Sequence, residues 1–299
     1  MNDYQWYPGH MTKARRMMEE DIKLIDLCIE ILDARIPYSS RNPDIDTIAK
    51  NKSRLVLLNK ADLAAEEISK GWIEYFESKG ITAMKLDSRN RAPMKNIGAL
   101  VEIACKEKLE RDRKRGIKGR PIRAMVVGIP NVGKSTFINS FAGKAVAKTG
   151  NKPGVTKGKQ WIKLNKTLEL LDTPGILWPK FEDNTVGEHL AFIGSMNDQN
   201  LNLEELALSL IATIKNIKPD LFKETYVTAT EVKLPEDILI ADQNILELYR
   251  VATSRNALLK GGDLDIEKAA GIVLDDFRSG KLGRFSIETV GDYSERQKG

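Results

Sequence analysis

The chain has 299 residues, enough for two domains that each bury a core, and its 41% hydrophobic and 30% charged residues exclude a disordered or fibrous protein. No segment has the apolar length of a membrane span, and the opening "MNDYQWYPGHMTKARRMMEEDI" lacks the apolar run of a signal peptide, so a cytoplasmic protein is expected. The net charge is only +5, which makes the placement of the charges more informative than their sum.

In chain order the pattern predicts a helix over 11–23 and an apolar strand over 26–32 that ends in "DARIP". A strand over 54–58 runs into "NKAD", a helix follows at 64–79, and a strand over 81–86 runs into "DSRN". A helix over 93–113 leads to a strand at 122–127, which enters "GIPNVGKS" and a helix starting near Lys134. Strands at 160–164 and 168–171 follow, the second ending at "DTPG". Apolar strands alternating with helices predict an α/β, Rossmann-like sheet with helices on both faces, which binds ligands at its strand ends. Beyond about 180 the pattern turns helical, at 203–218, 242–259 and 265–280, the last with Asp265 as N-cap and Gly280 as stop. The predicted organisation is therefore a domain over 1–180, an all-helical domain over 181–290, and a tail over 291–299; from about 285 the chain reads as frayed.

Between Lys106 and Arg123 nine basic residues face three acidic ones. Such a block is either a solvated linker or a contact to phosphate backbone. Cys28 and Cys105 lie in apolar text without metal-ligand spacing and read as buried thiols of a reducing compartment.

"GIPNVGKS" satisfies the eight-position phosphate-loop pattern. Gly128 and Gly133 let the backbone wrap a phosphate, Lys134 bridges the β- and γ-phosphates and acts in catalysis, and the Ser135 hydroxyl ligates Mg²⁺. The nucleotide-facing run extends from Asn131 and Val132 through Thr136. Downstream, Asp172 of "DTPG" is a second Mg²⁺ position and the Gly175 N–H is placed to sense the γ-phosphate. In the intervening "GNKPGVTKG", Thr156 is expected to complete the Mg²⁺ shell, with Thr149 also in range.

The "NKAD" segment supplies base selection. The Asp62 carboxylate accepts from guanine N1–H and the 2-amino group together, which adenine cannot offer. Asn59 braces the loop, Lys60 lies along the base plane, and Ser88 of "DSRN" supports the base from behind. The order is base motif, supporting loop, phosphate loop, switch threonine, then D-T-P-G. Read cyclically, this is the ordinary GTPase order cut at a different place, so the chain reads as circularly permuted.

"YPGHM", "DARIP", "NKAD", "GIPNVGKS" and "DTPG", in this order over nearly the whole length, resemble the circularly permuted GTPases of bacterial ribosome biogenesis. The resemblance implies GTP hydrolysis coupled to late assembly of the large (50S) ribosomal subunit, with the helical domain helping to contact ribosomal RNA. It leans the basic block towards RNA. Where many GTPases carry a water-orienting glutamine, this chain has Ile176. His10 in "YPGHM" is a candidate substitute, as the resemblance also suggests, against a histidine packed in a Pro-Gly turn. His189, in helical text, reads as structural. Asn131 is either a K⁺ ligand or a loop brace. Partners expected are GTP and GDP and the large subunit with its RNA, with no membrane, and a monomer. Two rivals remain at this point: a nucleotide-gated RNA-binding scaffold with little hydrolysis, and a small-substrate kinase, which "NKAD" and "DTPG" disfavour.

Overall fold

The computed structural model describes residues 16–117, 119–143, 160–164, 166–172, 183–228, 232, 234 and 244–296. These divide into two compact units. One takes the chain up to 172 and resumes at Glu288; the other is Asp183–Ile287.

The first unit begins with helix α1 (16–21), a 3-10 turn Ile22–Leu24, strand β1 (Leu27–Asp33), and a short helix α2 (Ile45–Ile48). Strand β2 (Ser53–Asn59), helix α3 (Glu66–Ser78), strand β3 (Thr82–Lys85) and helices α4 (Met94–Ala104) and α5 (Lys106–Lys114) follow. Strand β4 (Ile122–Val127), helix α6 (Lys134–Ala142) and strands β5 (Gln160–Lys163) and β6 (Leu168–Asp172) complete the sheet. The six strands lie in the order β3-β2-β1-β4-β6-β5, parallel except for the β5–β6 pair. β1, "LCIEILD", is buried throughout, as a central parallel strand covered on both faces must be. Its one mid-strand charge, Glu30, is met by Arg54 and by Arg41 at 3.2 Å.

The helix expected over 93–113 is two helices, because the turn at buried Cys105 (φ −97°, ψ 12°) breaks it. On α4 the apolar residues Met94, Ile97 and Val101 face the core. On charged α5 the buried residue is Lys108, whose ammonium lies 2.9 Å from Asp112 and 3.6 Å from Asp26. Cys28 and Cys105 are both buried and unbridged, and burial pushes both thiols up.

The second unit holds α7 (Asn184–Phe192), α8 (Leu203–Ile217), α9 (Leu221–Thr225), α10 (Ile245–Ser254) and α11 (Ile266–Ser279). α11 starts where Asp265 accepts from the Lys268 N–H at 2.9 Å and stops at left-handed Gly280, the two signals legible in the sequence. It packs against both α8 and α10 through Ala269, Ala270, Val273 and Phe277. The Arg278 guanidinium donates to the Ala191 and Phe192 carbonyls at 2.8 and 3.0 Å and so caps the end of α7. His189 is buried in α7 beside Phe192.

The frayed-tail reading is corrected here. Residues Val290–Arg296 form helix α12, and they belong to the sheet-bearing unit. The Glu288 carboxylate accepts from the Tyr38 and Ser39 N–H groups at 2.8 and 3.0 Å and from the Ser39 hydroxyl. The Trp72 indole donates to the Glu288 carbonyl at 3.0 Å, and Tyr293 packs on Tyr38, Trp72 and Tyr75. A buried carboxylate with several charge-assisted hydrogen bonds and an aromatic cluster hold the segment in place.

Candidate nucleotide-binding site

Parallel pairing brings the C-terminal ends of β1, β2, β4 and β6 to one edge of the sheet. Asp33 lies abreast of Asn59, and Asp172 abreast of Val126 at the end of β4. Each motif that follows these strands therefore starts from the same edge, whatever its position in the chain.

The phosphate loop leaves β4 at Gly128, where a Cβ would sit 2.6 Å from the Ile31 carbonyl oxygen of the neighbouring strand. Asn131 and Gly133 adopt left-handed backbone, at φ 62° and 96°. Gly133 is the N-cap of α6 and cannot carry a side chain, since its Cβ would lie 2.4 Å from Asn59 Nδ2. The first turn of α6 carries the backbone N–H groups of Lys134, Ser135 and Thr136, ahead of the first helical bond from the Phe137 N–H to the Gly133 carbonyl at 2.8 Å. Lys134 is buried, with its ammonium donating to the Ile129 carbonyl at 2.8 Å. Ser135 and Thr136 are half-buried beside it, Val132 is fully buried, and Asn131 is exposed at the crest.

The base-selecting loops are tied to the phosphate loop by one side chain. Asn59 Nδ2 donates to the Val132 carbonyl at 2.6 Å, and Asn59 Oδ1 accepts from the Ser88 N–H at 2.9 Å and hydroxyl at 2.8 Å. Ser140 of α6 donates in turn to the Ser88 carbonyl at 2.6 Å. Asn59 and Ser88 are almost wholly buried, so these bonds are shielded from water. Beside them, Asp62 is partly exposed and is held by the Arg89 guanidinium at 2.5 Å, itself fixed by Asp87.

Asp33 at the end of β1 anchors this loop, together with Arg35 just beyond that strand. Lys60, at φ 57°, turns its ammonium to 3.1 Å from Asp33, and Arg35 grips the same carboxylate at 2.9 and 2.8 Å. Burial alone would raise the Asp33 carboxyl, but Arg35 and Lys60 hold it well below the usual carboxylate range. Burial lowers the Lys60 ammonium, opposed by Asp33 and reinforced by Arg35. The sequence reading gave Asp33, Arg35, Arg89 and Ser140 no part in the site; an acid and an arginine two residues apart at a strand end was the available signal.

Of the predicted site residues, the structure brings together Asn59, Lys60, Asp62, Ser88, Asn131, Val132, Gly133, Lys134, Ser135 and Thr136, and it sets the Asp172 backbone at the same edge. Ser135 offers a hydroxyl, a hard oxygen donor of the kind Mg²⁺ takes. His10, Thr149, Thr156, Gly175 and Ile176 lie outside the described residues.

The family model described as "50S ribosome-binding GTPase" matches residues 123–239. Ribosome biogenesis GTPase A of Bacillus cereus is 47% identical over 293 residues, 98% of this chain and 96% of that protein. GDP-bound YlqF aligns with a TM-score of 0.65 and 25% identity, over 93% of this chain and all of that one. GNP-bound YlqF from Thermotoga maritima aligns at 0.62 and 26%, over 93% and 98%. With the base and phosphate loops joined at one sheet edge in permuted order, and with identity this high end to end, the chain belongs to the ribosome biogenesis GTPase A family.

Proposed function

We propose that this protein binds GTP across the loops at 59–62, 88 and 128–136 and hydrolyses it on the large ribosomal subunit, late in that subunit's assembly. The observation that carries the reading is the Asn59 bridge, which locks base loop and phosphate loop into one rigid receptor. Asp62 reads the guanine edge, Lys60 lies along the base, and Lys134 with the α6 amide groups takes the phosphates. Ser135, Asp172 and Thr156 hold Mg²⁺, whose charge when bound offsets that of the phosphates. Gly175 senses the γ-phosphate. With Ile176 unable to orient water, His10 takes that part, and the exposed Asn131 supports a K⁺ dependence. The family likeness supports a cytoplasmic monomer that leaves the subunit once GTP is spent, with the helical unit in contact with ribosomal RNA.

GTP turnover in KCl, alone and with purified large or small subunits, tests the reading. Stimulation by large subunits only is the expected result. No stimulation by either would favour a nucleotide-gated RNA-binding scaffold. In the same assay His10→Ala should lose stimulated turnover while keeping GTP affinity, and equal rates in KCl and NaCl would remove the K⁺ role.

A further inference from the structure

The segment "DARIPYSS" (33–40) leads from β1 towards α2 without regular structure of its own, yet it is deeply buried. Asp33, Ala34, Arg35, Ile36, Ser39 and Ser40 are each at most 1% exposed. A buried loop must find partners for its own polar groups. The Asp33 N–H donates to Ser40 Oγ at 3.0 Å, and the Ser40 hydroxyl donates to the Ile36 carbonyl at 2.8 Å, so the two ends of the loop close on each other. At its far side the Tyr38 and Ser39 N–H groups converge on the Glu288 carboxylate at 2.8 and 3.0 Å, joined by the Ser39 hydroxyl. Successive amides aimed at one charged acceptor hold it more firmly than a single neutral bond would.

The same loop is fastened to the base-selecting motif. The Ala34 N–H donates to the Asn59 carbonyl at 2.8 Å, and the Asp33 carboxylate, gripped by Arg35, lies 3.1 Å from the Lys60 ammonium. Lys60 is a non-glycine residue in left-handed backbone, a conformation that persists only where its surroundings fix it. The links from Glu288 to Asp33 run through buried groups, where little water is at hand to replace a lost partner. Holding the tail itself falls to the Tyr293 ring and to the Trp72 indole on the Glu288 backbone. The Glu288 side chain is directed instead at the loop that carries Asp33. It follows directly on Ile287, the last residue of the helical unit, so the group that completes this loop comes from the far end of the chain.

We infer that Glu288 is a positioning residue for guanine nucleotide binding. Through Tyr38 and Ser39 it fixes the 33–40 loop, which in turn holds the Asn59 backbone and the Lys60 side chain in their places. When that carboxylate is lost the loop relaxes, Lys60 leaves its left-handed backbone, and bound nucleotide departs sooner. The inference rests on the reading that Lys60 and Asp62 face guanine. Two anchors then set the base loop: the Asn59 side chain on the phosphate loop, and the Glu288-held loop on the Asn59 carbonyl and the Lys60 ammonium.

The test is stopped-flow release of fluorescent GDP and GTP analogues from the full chain, with circular dichroism to establish that each variant is folded. Glu288→Gln replaces one acceptor oxygen with an N–H donor and should speed release of both nucleotides about tenfold. Ser40→Ala breaks the loop midway while leaving Glu288 in place, and should speed release at least about threefold. In a Lys60→Ala background Glu288→Gln should add less than about threefold, because residues on one path are not additive. Asp276→Asn serves as the control: it removes from the helical unit a buried carboxylate that accepts from Tyr226, Arg255 and Lys281, and release should stay at the wild-type rate. Wild-type release from folded Glu288→Gln and Ser40→Ala would overturn the inference alone. So would the full effect of Glu288→Gln persisting without Lys60, or an equal acceleration by Asp276→Asn, which would mark general destabilisation. A wild type that binds neither analogue would overturn the reading of the guanine site with it.

Discussion

Asn59 and Val132 are 73 residues apart in the chain and 2.6 Å apart in the site, the Asn59 amide donating to the Val132 carbonyl. The same side chain accepts twice from Ser88, so one buried group sets the spacing of base loop, supporting loop and phosphate loop. What the site needs is this spacing, not a chain order, which is why permutation leaves it intact. Asn59→Ala removes three hydrogen bonds and strands the Val132 carbonyl. It is expected to cost about 2–3 kcal/mol in urea unfolding and to weaken guanine nucleotide binding at least about tenfold.

Gly133→Ala attacks the same relationship from the other side. A methyl there meets Asn59 Nδ2 at 2.4 Å, and φ is 96°, so both sterics and backbone oppose it. Titration with a fluorescent GTP analogue should show binding abolished, with circular dichroism largely retained. Gly128→Ala should unfold more readily, because its methyl meets the backbone of β1 rather than a side chain.

Asp33 links stability to pH. Its folded pKa is depressed by Arg35 and Lys60, so its contribution is complete above the unfolded value of about 4 and is lost as pH falls towards the folded one. Asp33→Asn leaves Arg35 buried beside a neutral amide and should destabilise the protein at pH 7 by roughly 3 kcal/mol. The variant should also lose less stability than wild type between pH 4 and 2. Chemical denaturation across that range checks both.

How legible each feature was depended on how local its cause is. "GIPNVGKS" carries its whole mechanism in eight consecutive residues, and "NKAD" and "DSRN" could be placed because each follows an apolar strand. The α11 caps, Asp265 and Gly280, were readable for the same reason. The break at Cys105 was not, since helix propensity continues across it and only the burial of Lys108 against Asp26 distinguishes the two halves. The charge cluster around Asp33 depends on Arg35 and Lys60 arriving from different segments. The tail failed most completely: Glu288 caps amides 250 and 249 residues away, and nothing in "SIETVGDYSERQKG" announces such partners.

That C-terminal strap makes its own prediction. Glu288→Ala leaves the Tyr38 and Ser39 N–H groups without their carboxylate acceptor and should cost about 2–3 kcal/mol in urea unfolding. Truncation before Glu288 should cost more, because the Tyr293 packing and the Trp72 indole bond go with it. A truncated chain as stable as wild type would mean that the segment only rests on the surface.

The most direct test of the permuted guanine site is a change of base. Asp62, held by Arg89, is assigned both hydrogen bonds to the guanine edge. Asp62→Asn replaces one acceptor with an N–H donor, which opposes the guanine 2-amino group but matches the 2-carbonyl of xanthine. Affinities of the variant for GTP and XTP should therefore invert, with GTP losing and XTP gaining so that the ratio shifts by at least ~100-fold. A variant that still prefers GTP as wild type does would contradict the account, because the base would then be read somewhere other than the loop that Asn59 ties to the phosphates.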